Sequence, residues 1–209
     1  MTSAHVDPAI TPERLRIVPA NEATWAEVEA VFGTRGYPAR CRCQRFKVDG
    51  WMWRDSTLEE RVAMQREQTG CGEPSPAPTS GLLAYLDDEP VGWVAVEPRT
   101  AYMKLRTTPV PWRDRDEDRD DDGVWAVTCF VVRAGHRGRG LTYPLAEATI
   151  AFARLQGARA LEAYPMLTQP GKEISWGETH VGTRQVFAAA GFEQVSHPTP
   201  RRVVMRVEF

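Results

Sequence analysis

The residues best suited to chemistry lie in VVRAGHRGRGLTYPLAEA, residues 131–148. Arg137, Gly138, Arg139 and Gly140 fall between an apolar run rich in strand formers and a stretch with helical periodicity. Backbone N–H groups and the helix dipole at such a junction favour an anion. Glycines let a ligand approach the backbone closely, because no Cβ intervenes. The two arginines and His136 add positive charge, and Thr142 can cap the helix or offer a hydroxyl. Together these residues suit a phosphate or pyrophosphate; the alternative is a flexible turn with solvent-exposed arginines. No Gly-Lys-Ser/Thr follows at the spacing of a Walker A loop. Gly138 and Gly140 give G-x-G, but the third glycine of a dinucleotide fingerprint would fall at Tyr143.

Secondary structure must position this turn. Trp125 to Val132, rich in Val, Phe and Trp, predicts a buried strand. Leu141, Leu145, Ala148, Phe152 and Leu155 recur three or four apart, which predicts a helix over 142–156 with one buried stripe, ended by Gly157. Ala160 to Tyr164 is the next strand, and strand–helix–strand is the crossover unit of a parallel pair. Upstream, Arg14 to Val18 reads as a strand and 21–32 as a helix, with Thr24 and Glu27 spaced as a capping box. Thr57 and Glu60 open a second helix that stops near Gly70. Gly81 to Leu86 and Val91 to Glu97 form a hairpin about Asp87–Pro90. The acidic stretch RDRDEDRDDDG, residues 113–123, reads as a solvated loop. Downstream come a short helix over 182–190 and strands over 192–196 and 202–209. The order predicts one α/β domain over 13–209, preceded by a flexible tail over 1–12.

Composition narrows the function. The chain has 209 residues, with 26 Lys plus Arg against 28 Asp plus Glu, a net charge of −2. That balance offers no basic surplus for nucleic acid or an anionic membrane. The longest nearly apolar run, Val124 to Val132, is far too short to span a bilayer. The N-terminus lacks a basic segment followed by an apolar one, so a cytoplasmic location is expected. Cys41 and Cys43 stand as C-x-C without a second pair to complete a zinc site, so no metal is expected.

Arg137-Gly138-Arg139-Gly140-Leu141-Thr142 resembles the R/Q-x-x-G-x-G/A loop of the GCN5-related N-acetyltransferase (GNAT) superfamily. Phe130-Val131-Val132 sits where that family has its L-x-V strand end, and Val186-Phe187-Ala188-Ala189-Ala190-Gly191-Phe192 is similar to its L-Y-x-x-x-G-F helix end. The order of elements also matches, so the resemblance covers residues 13–209. It implies a single mixed, mostly antiparallel central sheet, with a parallel splayed strand pair and flanking helices. It implies that Phe130, Val131, Val132 and Arg137 through Thr142 bind acetyl-CoA as co-substrate. Two departures stand out. Thr142 replaces the last small residue of the loop, and Phe187 replaces the family's frequent general-acid tyrosine.

The implied reaction is direct transfer of an acetyl group to an amine acceptor. An ammonium must lose a proton before it is nucleophilic, so a base is needed. Backbone N–H groups near the end of the 125–132 strand would stabilise charge on the carbonyl oxygen. Glu162 is the first candidate base, with a carboxylate salt-bridged to an arginine as its alternative reading; Glu97 is the second candidate. Tyr164, on the same strand face as Glu162, is the leading proton donor in place of Phe187. His180, aligned with a frequent Asn of the family, is a candidate base, donor or substrate ligand.

The acceptor, a small-molecule or peptide amine, is expected between the N-terminal half and the 100–112 region, where Tyr37, Phe46, Trp51, Trp53, Tyr102 and Trp112 are candidates for an apolar or cation-binding lining. A homodimer, common in the family, would suit the exposed sheet edges. The alternative function is a catalytically weak protein of the same fold that senses acyl-CoA.

Overall fold

A computed structural model describes residues 10–73, 78–168 and 176–209. Among them run seven strands: β1 (Leu15–Pro19), β2 (Gly81–Leu86), β3 (Glu89–Pro98), β4 (Val124–Val132), β5 (Ala160–Ala163), β6 (Glu193–Thr199) and β7 (Arg202–Glu208). The helices are α1 (Trp25–Phe32), α2 (Gly36–Cys41), α3 (Gly50–Asp55), α4 (Leu58–Thr69), α5 (Met103–Thr107), α6 (Thr142–Leu155), α7 (Trp176–Thr179) and α8 (Arg184–Ala189). The short helices α2, α3, α5 and α7 carry no repeating apolar stripe and escape a reading by periodicity. Residues 1–9 of the expected tail lie outside the described residues.

Local signals account for the long elements. Thr24 and Glu27 form the expected capping box: the Glu27 N–H donates to Thr24 Oγ1 at 3.3 Å, and the Thr24 N–H to Glu27 Oε2 at 2.7 Å. Thr57 and Glu60 repeat it at α4. Thr24→Ala removes one reciprocal bond of this pair and lowers stability by about 1 kcal/mol, read as a lower urea midpoint with an unchanged denaturant slope. Asp87 and Asp88 both take left-handed conformations, φ 50° and 65°, as a two-residue hairpin turn requires.

The strands form one sheet in the order β1-β2-β3-β4-β5-β7-β6, with β1 and β6 at its edges. Only β4 and β5 run parallel. Strand alternation divides the core. Leu82, Ala84, Val94 and Val96 face Leu145, Phe152 and Phe187 of α6 and α8. Leu83, Tyr85, Trp93 and Val131 face Val28, Val31 and Phe32 of α1.

Two irregularities of β4 create the site. Ala95 pairs with Cys129 but Val96 with Val127, so Thr128 is an extra, bulged residue. Bulges re-aim neighbouring side chains and often lie beside functional sites. The parallel pairing spans only Val124–Val127 against Ala160–Ala163. Beyond it, β4 has no partner strand on that side. The segment before α8 fills the position, and the Phe130 N–H donates to the His180 carbonyl at 2.6 Å.

Candidate active site

The glycine–arginine turn follows β4 directly. Gly138 and Gly140 adopt φ of 75° and 80°, a conformation that L side chains rarely enter. Arg137 Nε donates to the Val132 carbonyl at 3.0 Å, tying the arginine to the strand end. Phe130, Val132, Arg137, Gly138 and Thr142 border a cavity of about 210 Å³, closed on its other side by Thr179, His180, Gly182, Thr183 and Val186. Other expected residues of this group lie elsewhere. Val131 alternates onto the α1 face of the sheet, and Leu141 is buried in the core under α6. Arg139 and Gly140 border a separate surface groove with Ile10, Pro12 and Leu15. Gly182 is needed sterically as well as for its φ of 81°: a Cβ there would stand 2.6 Å from the Phe187 ring and 3.0 Å from that of Phe130.

A second cavity, of about 240 Å³, lies on the other side of His180. Arg45, Phe46, Lys104, Leu105, Thr108 and Val110 form one part of its wall, and Tyr164, Glu178, His180 and Arg202 the other. His180 therefore borders both cavities. It is buried, with its ring centroid 6.0 Å from Phe46 and 6.2 Å from Tyr37. Of the aromatic candidates for the acceptor, Phe46 borders this cavity and Tyr37 backs His180. Tyr102 and Trp112 are core residues, and Trp51 is 61 % exposed at a different surface.

Glu162 lies at the centre of a buried ion cluster. Arg206 Nη1 donates to its Oε1 at 2.7 Å and Arg115 Nη2 to the same oxygen at 2.5 Å. Arg99 Nη1 donates to Oε2 at 3.2 Å, as does the Tyr164 hydroxyl at 2.7 Å. The Glu162 side chain is 0 % exposed, and those of Arg99, Arg115 and Arg206 are 1, 9 and 6 % exposed. Burial pushes the Glu162 carboxyl up, but the bond from Arg115 and the charges of Arg115 and Arg99 outweigh it and hold the carboxyl below its usual range. This is the salt-bridged alternative for Glu162. Burial, then the Glu162 charge, pushes the Tyr164 phenol well up. The acidic loop is accordingly not wholly solvated: Arg115 and Glu117 turn inward to this cluster, while Asp114, Asp116 and Asp120 stay exposed. Glu97, the second candidate base, is paired with Lys47 and borders neither cavity. Burial pushes its carboxyl up against the opposing Lys47 charge.

The model of the acetyltransferase (GNAT) family matches residues 45–171, more than half of the sequence. The chain belongs to the acetyltransferase (GNAT) family. Among solved structures it is similar to yncA of Salmonella typhimurium, solved with its cofactor acetyl-CoA, at 15% identity and a TM-score of 0.50, covering 93% of this chain and 94% of that one. It is similar as well to an N-acetyltransferase from Staphylococcus aureus Mu50, at 14% identity and a TM-score of 0.50, over 93% and 98% of the two chains. At these identities the likeness is one of fold, and it bears out the mixed sheet with its parallel pair. No curated protein sequence matches the chain.

Two features of the site bear on its chemistry. Phe187, at the frequent tyrosine position, is fully buried, with ring centroids 5.7 Å from Phe130 and 5.1 Å from Phe192. It has no proton to give. The Phe130 N–H, within the strand end expected to stabilise the carbonyl oxygen, is engaged by the His180 carbonyl. Sequence reasoning also missed Thr179, Thr183, Arg45, Lys104, Glu178 and Arg202. Thr179 and Thr183 flank His180 and were within reach of a local argument. The charged residues of the second cavity come from four separate elements and carry no common sequence signal.

Proposed function

We propose that this GNAT protein is an acetyl-CoA-dependent N-acetyltransferase that binds donor and amine acceptor together. The observation that carries the reading is the placement of His180 between two cavities, one of them built on the glycine–arginine turn. The donor set of the first cavity fits acetyl-CoA: the Gly138 backbone, Arg137 and Thr142 suit a pyrophosphate, and Phe130, Val132 and Val186 suit an apolar arm. The fold neighbour yncA supports the same donor. Acetyl-CoA supplies an acetyl group activated as a thioester. In the reaction an N–C bond forms and the C–S bond breaks. The ammonium gives up two protons overall, one taken up by the departing thiolate and one released.

Within this reading His180 handles the proton of the amine, because it is the candidate that reaches both cavities. Glu162 is a positioning residue and not the base: its oxygens already receive three guanidinium groups and a phenol. Tyr164 frames the acceptor cavity with its hydroxyl held on Glu162. Four free thiols support a reducing compartment, consistent with the cytoplasm. Among the described residues no helix is long and apolar enough to cross a membrane.

Calorimetric titration with acetyl-CoA, CoA and NADH tests the donor, and thiol release with a panel of amines tests the transfer. Binding of both CoA species but not NADH is expected. His180→Gln is expected to lower kcat at least about tenfold, a modest share of a general base's contribution, while acetyl-CoA still binds. Failure of both CoA species to bind overturns the reading. Phe187 and the engaged Phe130 N–H favour the alternative, an acyl-CoA sensor; tight acetyl-CoA binding with no thiol release from any amine would establish it.

A further inference from the structure

We infer that the acceptor is an amine that also carries a negatively charged group, a carboxylate or a phosphate. The inference rests on the N-acetyltransferase reading of the same site. Among the described residues the acceptor cavity is bordered by three cations, Arg45, Lys104 and Arg202, and one carboxylate, Glu178. Glu178 is also paired with Arg201, Nη2 to Oε1 at 2.6 Å, so a single carboxylate stands against Arg201 and the three cavity cations together. The cations arrive from the turn Gln44–Phe46, from α5 and from β7.

Each cation has donors to spare. Lys104 makes no ion pair among the described residues. Arg202 Nη1 donates to the Tyr164 carbonyl at 2.8 Å, which fixes the guanidinium at the cavity wall; its other N–H groups have no partner among the described residues. Among the described residues Arg45 reaches the Tyr37 hydroxyl alone, at 3.4 Å. Burial and the neighbouring Arg201 cation push Arg202 below the usual arginine range; the Glu178 charge opposes them and Arg45 adds a smaller push in the same direction. Like charges gathered around one concave space are relieved by an anion, and a guanidinium beside an ammonium is a fitting receptor for carboxylate or phosphate. The same field repels a polyamine. Phe46, Leu105 and Val110 leave room for an apolar body, and His180 and Glu178 offer the amine end a proton acceptor and a counter-charge.

The test compares matched amines in thiol-release assays: phenylalanine against phenylalaninamide, and O-phosphoethanolamine against ethanolamine. In at least one pair the charged member is expected to show a kcat/KM about tenfold or more higher, the worth of one hydrogen bond to a charged group. The pair that responds identifies the anion. Lys104→Met should move that ratio towards one. It alters a single half-buried side chain that makes no ion pair among the described residues, which guards against misfolding of an Arg202→Met variant. The acetylated products of both pairs are then titrated calorimetrically into the CoA-saturated protein. If no amine is acetylated but the charged product binds about tenfold tighter than its neutral partner, the charge inference stands and the transfer reading fails. No preference for the charged member in either readout overturns the inference.

Discussion

Glu162→Gln is expected to destabilise the folded protein by about 3–5 kcal/mol, the cost of removing one partner from a buried ion pair. Arg99, Arg115 and Arg206 all direct donors at this carboxylate from nearly buried positions. A neutral amide leaves those charges with only Glu117, and for Arg206 also Glu208, as counter-ions. A loss of about 3 kcal/mol in a chain of this length lowers the melting temperature by about 6–12 °C. Below the melting range acetyl-CoA affinity should be unchanged, because Glu162 borders neither cavity. The effect has a definite pH dependence. The Glu162 carboxyl is held lower in the folded protein than in the unfolded chain, so the unfolded chain takes up the proton more readily. Its stabilisation is fully present above the ordinary glutamate value of about 4.3 and is lost as pH falls through the lower folded value. Wild type and variant should therefore converge in strong acid. A variant with wild-type stability and greatly reduced turnover would restore Glu162 as the base.

Gly138→Val should reduce acetyl-CoA affinity by about 100-fold while costing the free protein only about 1–2 kcal/mol of left-handed strain. Gly138 borders the cavity proposed for acetyl-CoA, and a Cβ there meets no heavy atom within 4 Å in the free protein. The side chain would occupy ligand space and pull the turn away from φ 75°. Gly135 is the matched control, with φ 92° and open space but no place on the cavity. Gly135→Val should show similar strain and retain affinity. Calorimetric titration of both variants decides the matter, and equal affinities for the two would remove the turn from the cofactor site. From sequence, Gly140 is the more obvious target within the loop. The structure turns Gly140 and Arg139 towards a neighbouring groove, so Gly138 is the sharper probe.

Much of the fold is written in short-range chemistry. The capping boxes at Thr24 and Thr57 need only residues three apart. The hairpin needs two adjacent residues that tolerate positive φ, and Asp87 and Asp88 do. The β4 run and the stripe of α6 declare themselves by period, and the glycine–arginine turn by its place between them. These signals survive because propensity and periodicity act over one or two turns of chain. They suffice to place the order of the main elements and the glycine–arginine turn between β4 and α6, on which the resemblance to the GNAT family rests.

The tertiary structure decided the rest. Strand alternation sent Val131 to one face and Phe130 and Val132 to the other, which a motif match treats alike. Glu162 meets Arg99, Arg115 and Arg206 across 63, 47 and 44 residues of chain, and a spacing of that kind has no local signature. The acidic segment at 113–123 looks uniform in composition, yet folding turns Arg115 and Glu117 inward to the Glu162 cluster. His180 gains its position between two cavities because β4 outruns β5 and leaves a backbone donor that the 180 carbonyl can reach. Period and turn chemistry are properties of neighbours along the chain and can be read residue by residue. The convergence of charges on Glu162 and around the second cavity depends on packing between distant elements, which comes into being only when the sheet closes.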